Sequence, residues 1–365
     1  MRLTASMPAW LAAIFAFMTA ATPAAAGPAL LFEPANGKVL YFEEPDSLWH
    51  PASLTKIMTA YLTFEAIKEG KLRLEDKIPC SLVATLQPPS KVGLPVGGEL
   101  TVEQALQAII IKSANDVTVM LAEAVAGSET AFVKKMNETA RRLGMSRTNF
   151  VNTNGLPDPG QVTTARDLAK LSRAVVSEYS QHAHYWAMPD MRLGKRRLGS
   201  HNALLRTYPG ADGLKTGFTC DSGFNVVASA SRDGRQLMAV VLGETSGNER
   251  AVRAASLLEH GFQTYGWKEL FNQRTIDNLP SDPGAKGITT VREAVLSWDC
   301  GNAKARRAMI ARNKAQRSKM AKAKNKGGAK KKGEAEVARP ELKGTQVTPV
   351  AAGTATPKAA EAAKP

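Results

Sequence analysis

The sequence predicts an α+β fold in which an antiparallel sheet stands beside a separate cluster of helices. Three observations carry that expectation: a short hairpin pattern near residue 30, a run of apolar-periodic helices through the middle, and two strand patterns near residues 224–242 followed by a last helix. Strands and helices that come in blocks, not in strict alternation, favour an antiparallel sheet with the helices segregated from it.

Taken in order, residues 29–33 and 38–42 are short apolar runs around Pro34-Ala35-Asn36-Gly37, and an Asn-Gly turn between such runs predicts a hairpin. After Pro51, the apolar positions Leu54, Ile57, Met58, Tyr61 and Leu62 recur at helical spacing up to Gly70. Thr101-Val102-Glu103-Gln104 is a capping-box start, and Ala105, Leu106, Ile109 and Ile110 then share one face. That helix is expected to stop at Lys112-Ser113-Ala114-Asn115-Asp116, with another apolar helix over 117–126. A polar stretch between two core helices is out of place unless it faces a cleft. Further helices are expected over 130–143 and 164–177, the latter capped by Thr163 or Thr164, with the turn-rich NTNGLPDPGQ loop at 152–161 between them. Ser231-Arg232-Asp233-Gly234 joins two strands, and a helix over about 249–265 closes the globular pattern. After Trp267 the signal fades, so 27–267 is read as the folded domain and 268–301 as a short appendage of unassigned role.

The ends read differently. Arg2, the apolar run from Ala9 to Met18 and the small-residue site Ala24-Ala25-Ala26 predict a signal peptide over residues 1–26, the run being too short to span a bilayer comfortably. The protein is therefore expected to be exported to the periplasm or cell envelope, soluble or peripheral to a membrane. Net charge is +15, but residues 301–365 hold 17 Lys or Arg against 4 Asp or Glu, which leaves +2 for the rest. Such a segment cannot bury enough apolar surface to fold alone, so 302–365 is read as a disordered Lys/Ala/Pro-rich tail. Three cysteines (Cys80, Cys220, Cys300) allow one bridge in three pairings; beside the Lys215 motif, Cys220 is read as a buried or incidental thiol. His182 and His184, with no further ligand nearby, are read as a surface pair, and no metal or other cofactor is expected.

The chemistry rests on three short motifs. Ser53-Leu54-Thr55-Lys56 opens a helix, where positions i and i+3 share a face, so Lys56 can take the Ser53 proton. Ser53 is the only serine with a lysine three residues on. Lys215-Thr216-Gly217, about 160 residues later, occurs once. Ser-x-Asn occurs at Ser113, Ser200 and Ser246. Ser246 fails on chain order and Ser200 has no helix on either side, whereas Ser113 sits at the polar break between two core helices.

These motifs, with WHPASLTKIMTAYL around Ser53, IIKSANDVTVMLAEAVAGS around Ser113 and HNALLRTYPGADGLKTGFTCDSGFNVVASA around Lys215, make the chain resemble the low-molecular-weight penicillin-binding proteins, the serine-type D-alanyl-D-alanine carboxypeptidases. The resemblance runs from about Leu30 to Tyr265 and places Asn202 in a strand leading towards Lys215. It implies a β-lactamase/transpeptidase-like fold and an acyl-enzyme on Ser53, formed by attack on the penultimate D-alanine of a peptidoglycan stem peptide. Lys56 is then the base, kept neutral by burial and by Lys215. Ser113 passes a proton to the departing D-alanine, and Asn115 holds the substrate amide. Lys215, a fixed cation, and Thr216 receive the terminal carboxylate, while the backbone N–H groups of Ser53 and Phe218 (after Gly217) form the oxyanion hole. Family members often carry a histidine where Phe218 stands. Arg250 is either a further carboxylate contact or an ordinary helix-surface charge.

The alternatives are a D,D-endopeptidase on cross-links, which needs the same groups, and a serine β-lactamase. The latter needs a glutamate to activate deacylating water, and none lies between Glu138 and Glu178, where the loop offers only Asp158 and Asp167. Long-lived acylation by β-lactam antibiotics is expected instead. The tail raises a binding function from another class. No nucleic-acid partner is expected for an exported protein with a near-neutral body, and an anionic envelope polymer or lipid surface fits the basic run better.

Overall fold

The computed structural model describes residues 27–271, 273–295 and 300; the expected signal peptide and basic tail lie outside the described residues. A hairpin of β1 (Ala29–Phe32) and β2 (Val39–Glu43) is followed by a 3-10 turn over Ala52–Thr55 and α1 (Lys56–Lys68). The ribbon β3 (Lys77–Pro79) and β4 (Glu99–Thr101) encloses α2 (Leu82–Thr85). Then come α3 (Val102–Gln107), a π turn over Ala108–Lys112, α4 (Asn115–Ala126), α5 (Glu129–Arg142), α6 (Ala165–Glu178) and α7 (His184–Ala187). A second ribbon, β5 (Asp190–Leu193) with β6 (Arg196–Gly199), precedes α8 (Leu204–Thr207). The strands β7 (Ala211–Thr219), β8 (Gly223–Arg232) and β9 (Arg235–Glu244) and the long α9 (Gly247–Phe271) complete the order.

The main sheet is antiparallel in every pairing, in the order β2-β1-β9-β8-β7. Because side chains alternate across a strand, each strand feeds two cores. Leu30, Phe32, Met238, Val240 and Leu242 join the helical cluster that holds α1, α4 and α6. Ala29, Leu31, Leu237, Ala239 and Val241 pack against Ala254, Leu257 and Leu258 of α9 on the other side. The sheet lies between the helical cluster and α9, with its edge strand β7 left to border a cleft.

Local signals set most boundaries. Thr101 and Gln104 form the reciprocal capping box at α3, and Thr164 caps α6 through the Asp167 N–H. The helical segment after Thr101 widens into the π turn and ends at Ser113, whose φ of +61° stops it. Two expectations fail. Asn202 is in no strand: its side chain accepts from Leu204 N and donates to Gly213 O, so it turns the chain into α8. His182 is not a surface residue either; it is 7% exposed and stacks on Phe64 at 4.5 Å.

α9 continues beyond Trp267 to Phe271, and the chain from 273 then returns along the body as a strap. Its backbone pairs with the first hairpin (Val39 N to Arg274 O, Ile276 N to Gly37 O), with Leu48 through Lys286 O, and with Asp221 O through Val291 N. Arg166 of α6 is the principal clamp. Its guanidinium meets Asp46 in two bonds of 2.7 and 2.8 Å and donates to the carbonyls of Leu279 and Pro280. Asp46 in turn accepts from Asp282 N. Removing one partner of a buried pair leaves an uncompensated charge, so Arg166→Ala is expected to cost about 3–5 kcal/mol of stability. Urea unfolding of the variant beside the parent protein measures that loss.

Candidate active site

The first two turns after Pro51 place the nucleophile. Ala52 has φ of +48°, an uncommon conformation for a residue with a side chain, and Ser53 follows on the 3-10 turn. Asn225 of β8 holds this turn to the sheet: its Nδ2 donates to His50 O and Pro51 O, while its Oδ1 accepts from Gly243 N. β7 runs alongside, and the approach explains the glycine of Lys-Thr-Gly. A Cβ on Gly217 would stand 2.9 Å from Pro51 O and 3.0 Å from Ser53 N. Gly155, at φ of +83°, is more constrained still, since a Cβ there would meet Ala52 O at 1.8 Å.

Lys56 is wholly buried, and its Nζ lies 3.1 Å from Ser53 Oγ, 2.8 Å from Asn115 Oδ1 and 2.6 Å from Asn154 O. The two carbonyl oxygens can only accept. A neutral amine has two hydrogens and one lone pair, so satisfying both carbonyls turns its lone pair to the serine hydroxyl. Burial pushes the Lys56 ammonium well below its ordinary range, the neighbouring Lys215 cation pushes the same way, and Asp116 opposes them. The two effects expected of Lys56 are both present, with burial the larger.

Ser113, 8% exposed at the end of the π turn, accepts a 3.0 Å bond from Lys215 Nζ, which also donates to Thr216 O. Lys215 keeps a charge that depends on pH. Burial, and then the charge of Arg250, bring it down to about 7. Arg250 is 8% exposed, so the alternative of an ordinary helix-surface charge fails. It donates to His201 O and Asn225 O, lies 5.7 Å from the Phe224 ring centroid, and is lowered by burial to about 10. None of these partners is a carboxylate.

The pieces share one cleft of about 550 Å³. Ser53, Ser113, Asn115, Thr216, Gly217, Phe218 and Arg250 all line it, with Asn154, Gly155 and Leu156 opposite β7. No carboxylate among the described residues lines the cleft, whereas Lys112 and Arg250 do. Such a surface favours an anionic group at the Lys215–Arg250 end. Asn115 Nδ2 is spent on Pro88 O at 3.0 Å, which leaves one of its two amide hydrogens for a ligand. Phe218 stands at the rim with its ring 4.2 Å from that of Phe224. Among the described residues no group of three His, Cys, Asp or Glu side chains is placed to hold a metal ion.

Asn154 and Gly155 escaped assignment on sequence, although both sit in the NTNGLPDPGQ loop. Their work is done largely by backbone, one as a carbonyl and the other by the absence of a Cβ, so side-chain chemistry gave no cue. Cys220 is likewise no free thiol: it is bonded to Cys300, and Cys80 is the buried free cysteine. Neither Asp158 nor Asp167 borders the cleft, and Asp167 bonds instead with Thr148 and Arg147 N.

Comparison with known proteins points to one family. The family model described as D-alanyl-D-alanine carboxypeptidase matches residues 16–246. D-alanyl-D-alanine carboxypeptidase DacF of Bacillus subtilis is 35% identical over 250 residues, 67% of this chain and 64% of that protein. The chain thus spans just under two thirds of the length of that curated relative. Penicillin-binding protein D2 of Listeria monocytogenes, in its cefotaxime-bound form, matches with a TM-score of 0.60 and 33% identity over 65% of this chain and 97% of that one. A mutant of the Streptomyces K15 DD-transpeptidase matches at TM-score 0.62 and 25% identity, over 66% and 98% of the two chains. The fold is the expected one, a transpeptidase-like sheet flanked by helices.

Proposed function

The chain belongs to the D-alanyl-D-alanine carboxypeptidase family, and on that premise we propose that it removes the terminal D-alanine from peptidoglycan stem peptides through an acyl-enzyme on Ser53. The observation that carries the reading is Lys56 Nζ, buried and driven towards its neutral form, 3.1 Å from Ser53 Oγ.

The steps follow from the contacts. Lys56 takes the Ser53 proton as the oxygen attacks the carbonyl of the penultimate D-alanine, and the developing oxyanion meets the N–H groups of Ser53 and Phe218. Ser113, bonded to Lys215 Nζ, gives its hydroxyl proton to the leaving amine and receives in turn the one that Lys56 took from Ser53, so that both are restored before hydrolysis. The substrate carboxylate lies at the end of the cleft with Lys215, Thr216 and Arg250, where two basic side chains recognise a free C-terminus. Water then releases the shortened peptide and restores Ser53.

Among the described residues no carboxylate lines the cleft, which supports slow release of a penicilloyl group, since none there is placed to activate water against it. Treating the protein with penicillin and mapping peptides by mass spectrometry is expected to find a long-lived adduct on Ser53, while a D-alanyl-D-alanine pentapeptide releases free D-alanine catalytically. Brisk turnover of penicillin, or cleavage of cross-linked dimers without D-alanine release, overturns the reading.

Export to the periplasm or cell envelope is part of the same proposal. The Cys220–Cys300 bridge supports it, since disulfides persist in oxidising compartments. Among the described residues no helix is long and apolar enough to cross a membrane. The basic segment beyond residue 300 is proposed to meet an anionic polymer or lipid surface of the envelope.

A further inference from the structure

Large apolar side chains left in water are few among the described residues, yet Leu82, Val83, Leu86 and Val96 all lie between positions 82 and 96. A single exposed apolar residue needs no explanation, whereas a cluster on one element does. Leu82 opens α2 and Leu86 ends it, so the two are i and i+4 on one side of the turn. At 62% and 73% exposed they protrude and line no groove. Val96 is brought beside the start of α2, because Gly97 N bonds Cys80 O and Cys80 N bonds Gly98 O. The element is fixed from below: Ala84 is buried, and Ser81 accepts from Ala84 N and donates to Glu123 of α4 at 2.8 Å.

The β5–β6 ribbon lies alongside. Arg196 of β6 donates to Val92 O at 3.0 Å, which holds the ribbon against the loop that carries Val96. In the ribbon's register Met191 stands opposite Leu198, and Arg192 opposite Arg197. Met191 and Leu198 are buried, so Arg192 and Arg197 take the outward face, with Lys195 exposed at the turn. Arg197 is paired with Asp190, whereas Arg192 and Lys195 have no ion-pair partner among the described residues. No acidic residue occurs from 77 to 98 or from 191 to 211.

We propose that α2, the loop through Val96 and the tip of the β5–β6 ribbon form a docking face for the surface of an anionic lipid bilayer. Leu82, Val83, Leu86 and Val96 enter the acyl boundary, while Arg192 and Lys195 meet the headgroup phosphates. The combination decides the occupant. Protruding aliphatic side chains gain by entering hydrocarbon, and cations beside them gain from an anionic headgroup layer. A soluble polyanion engages the cations alone and leaves the leucines in water. Pro89 and Ser90, from the same loop, line the catalytic cleft, so the docked protein carries that wall of its cleft beside the headgroups. The face is separate from the basic segment beyond residue 300 and does not depend on the carboxypeptidase reading.

The test places an environment-sensitive nitrobenzoxadiazole label on Leu86→Cys of the full-length protein, and for reference on Val252→Cys, 58% exposed on α9. Cys80 is buried and Cys220 is bonded to Cys300, and the parent protein treated with the same dye serves as the blank. Vesicles of equal phosphatidylglycerol and phosphatidylcholine are expected to shift the label at 86 to the blue and raise its emission, with the label at 252 unmoved. Only an inserted label responds, so binding through the basic segment alone leaves both labels in water. Arg192→Gln and Lys195→Gln are each expected to raise the lipid concentration for half signal by about fivefold, the worth of one cation near an anionic bilayer. Leu82→Ser is expected to raise it by about tenfold or more, the range for burying one leucine side chain. A label at 86 that stays silent, whether or not the protein sediments with the vesicles, overturns the proposal. So does the same response at 252, on pure phosphatidylcholine or with soluble polyphosphate, or a half signal that none of the three substitutions moves.

Discussion

Lys56→Met is expected to slow acylation of Ser53 by about 10²–10⁴-fold, the usual contribution of a positioned general base. The side chain keeps its length and apolar stem, while the nucleophile and the N–H groups of Ser53 and Phe218 remain. What goes is the lone pair 3.1 Å from Ser53 Oγ. Ser53→Ala, by contrast, leaves no adduct at all. Both are read by the rate of covalent labelling with a fluorescent penicillin, with thermal unfolding recorded alongside because Asn115 and Asn154 O lose a donor in the methionine variant. The parent protein carries a pH signature of the same group. Protonated Lys56 cannot accept a proton, so labelling falls as pH drops through the depressed Lys56 pKa and rises to a plateau above it. A methionine variant labelled at the parent rate sinks the assignment of the base.

Lys215→Met is expected to lower kcat/KM on D-alanyl-D-alanine peptides by about 30-fold to several thousand-fold, from the roughly 2–5 kcal/mol lost when one partner of a buried charge pair is truncated. The pH dependence separates recognition from chemistry. In the free protein burial and Arg250 hold Lys215 at about 7, so its charge, present below that value, disappears as pH rises through it. A bound carboxylate favours the charged form and restores it. The alkaline limb is therefore expected in kcat/KM, which reports the free enzyme, and not in kcat. Arg250→Gln removes a like charge and is expected to move that limb to higher pH. A kcat/KM that stays flat from pH 6 to 9 counts against Lys215 as the carboxylate's partner.

The site was legible where chemistry is written in side chains at short spacing. Ser53 and Lys56 are three apart on a helical turn, Lys215 to Gly217 are contiguous, and Ser113 marked itself by polarity between Ile111 and Val117. Hairpins and capped helices were legible for the same reason: Asn36-Gly37 and Thr101 to Gln104 act within one turn of chain. Contacts that close over long separations were not. Nothing in residues 273–295 alternates or repeats, because the strap bonds to the body through scattered carbonyls and through Arg166, Asp46 and Asp221 instead of a ladder. The cysteine pairing was open for want of that path. His182 reads as polar, yet its ring stacks in the core against Phe64. The depressed pKa of Lys215 could not be read from a tripeptide either, since it depends on Arg250, 35 residues away, and on burial.

The bridge from Cys220 to Cys300 does more than fasten the strap. It brings those two Cα atoms to 5.3 Å, one residue past Thr219 on the lip of the cleft. It also closes a loop of 80 residues, and in the chain-entropy picture such a closure takes about 4–5 kcal/mol of freedom from the unfolded chain, so reduction is expected to loosen the whole body and not the strap alone.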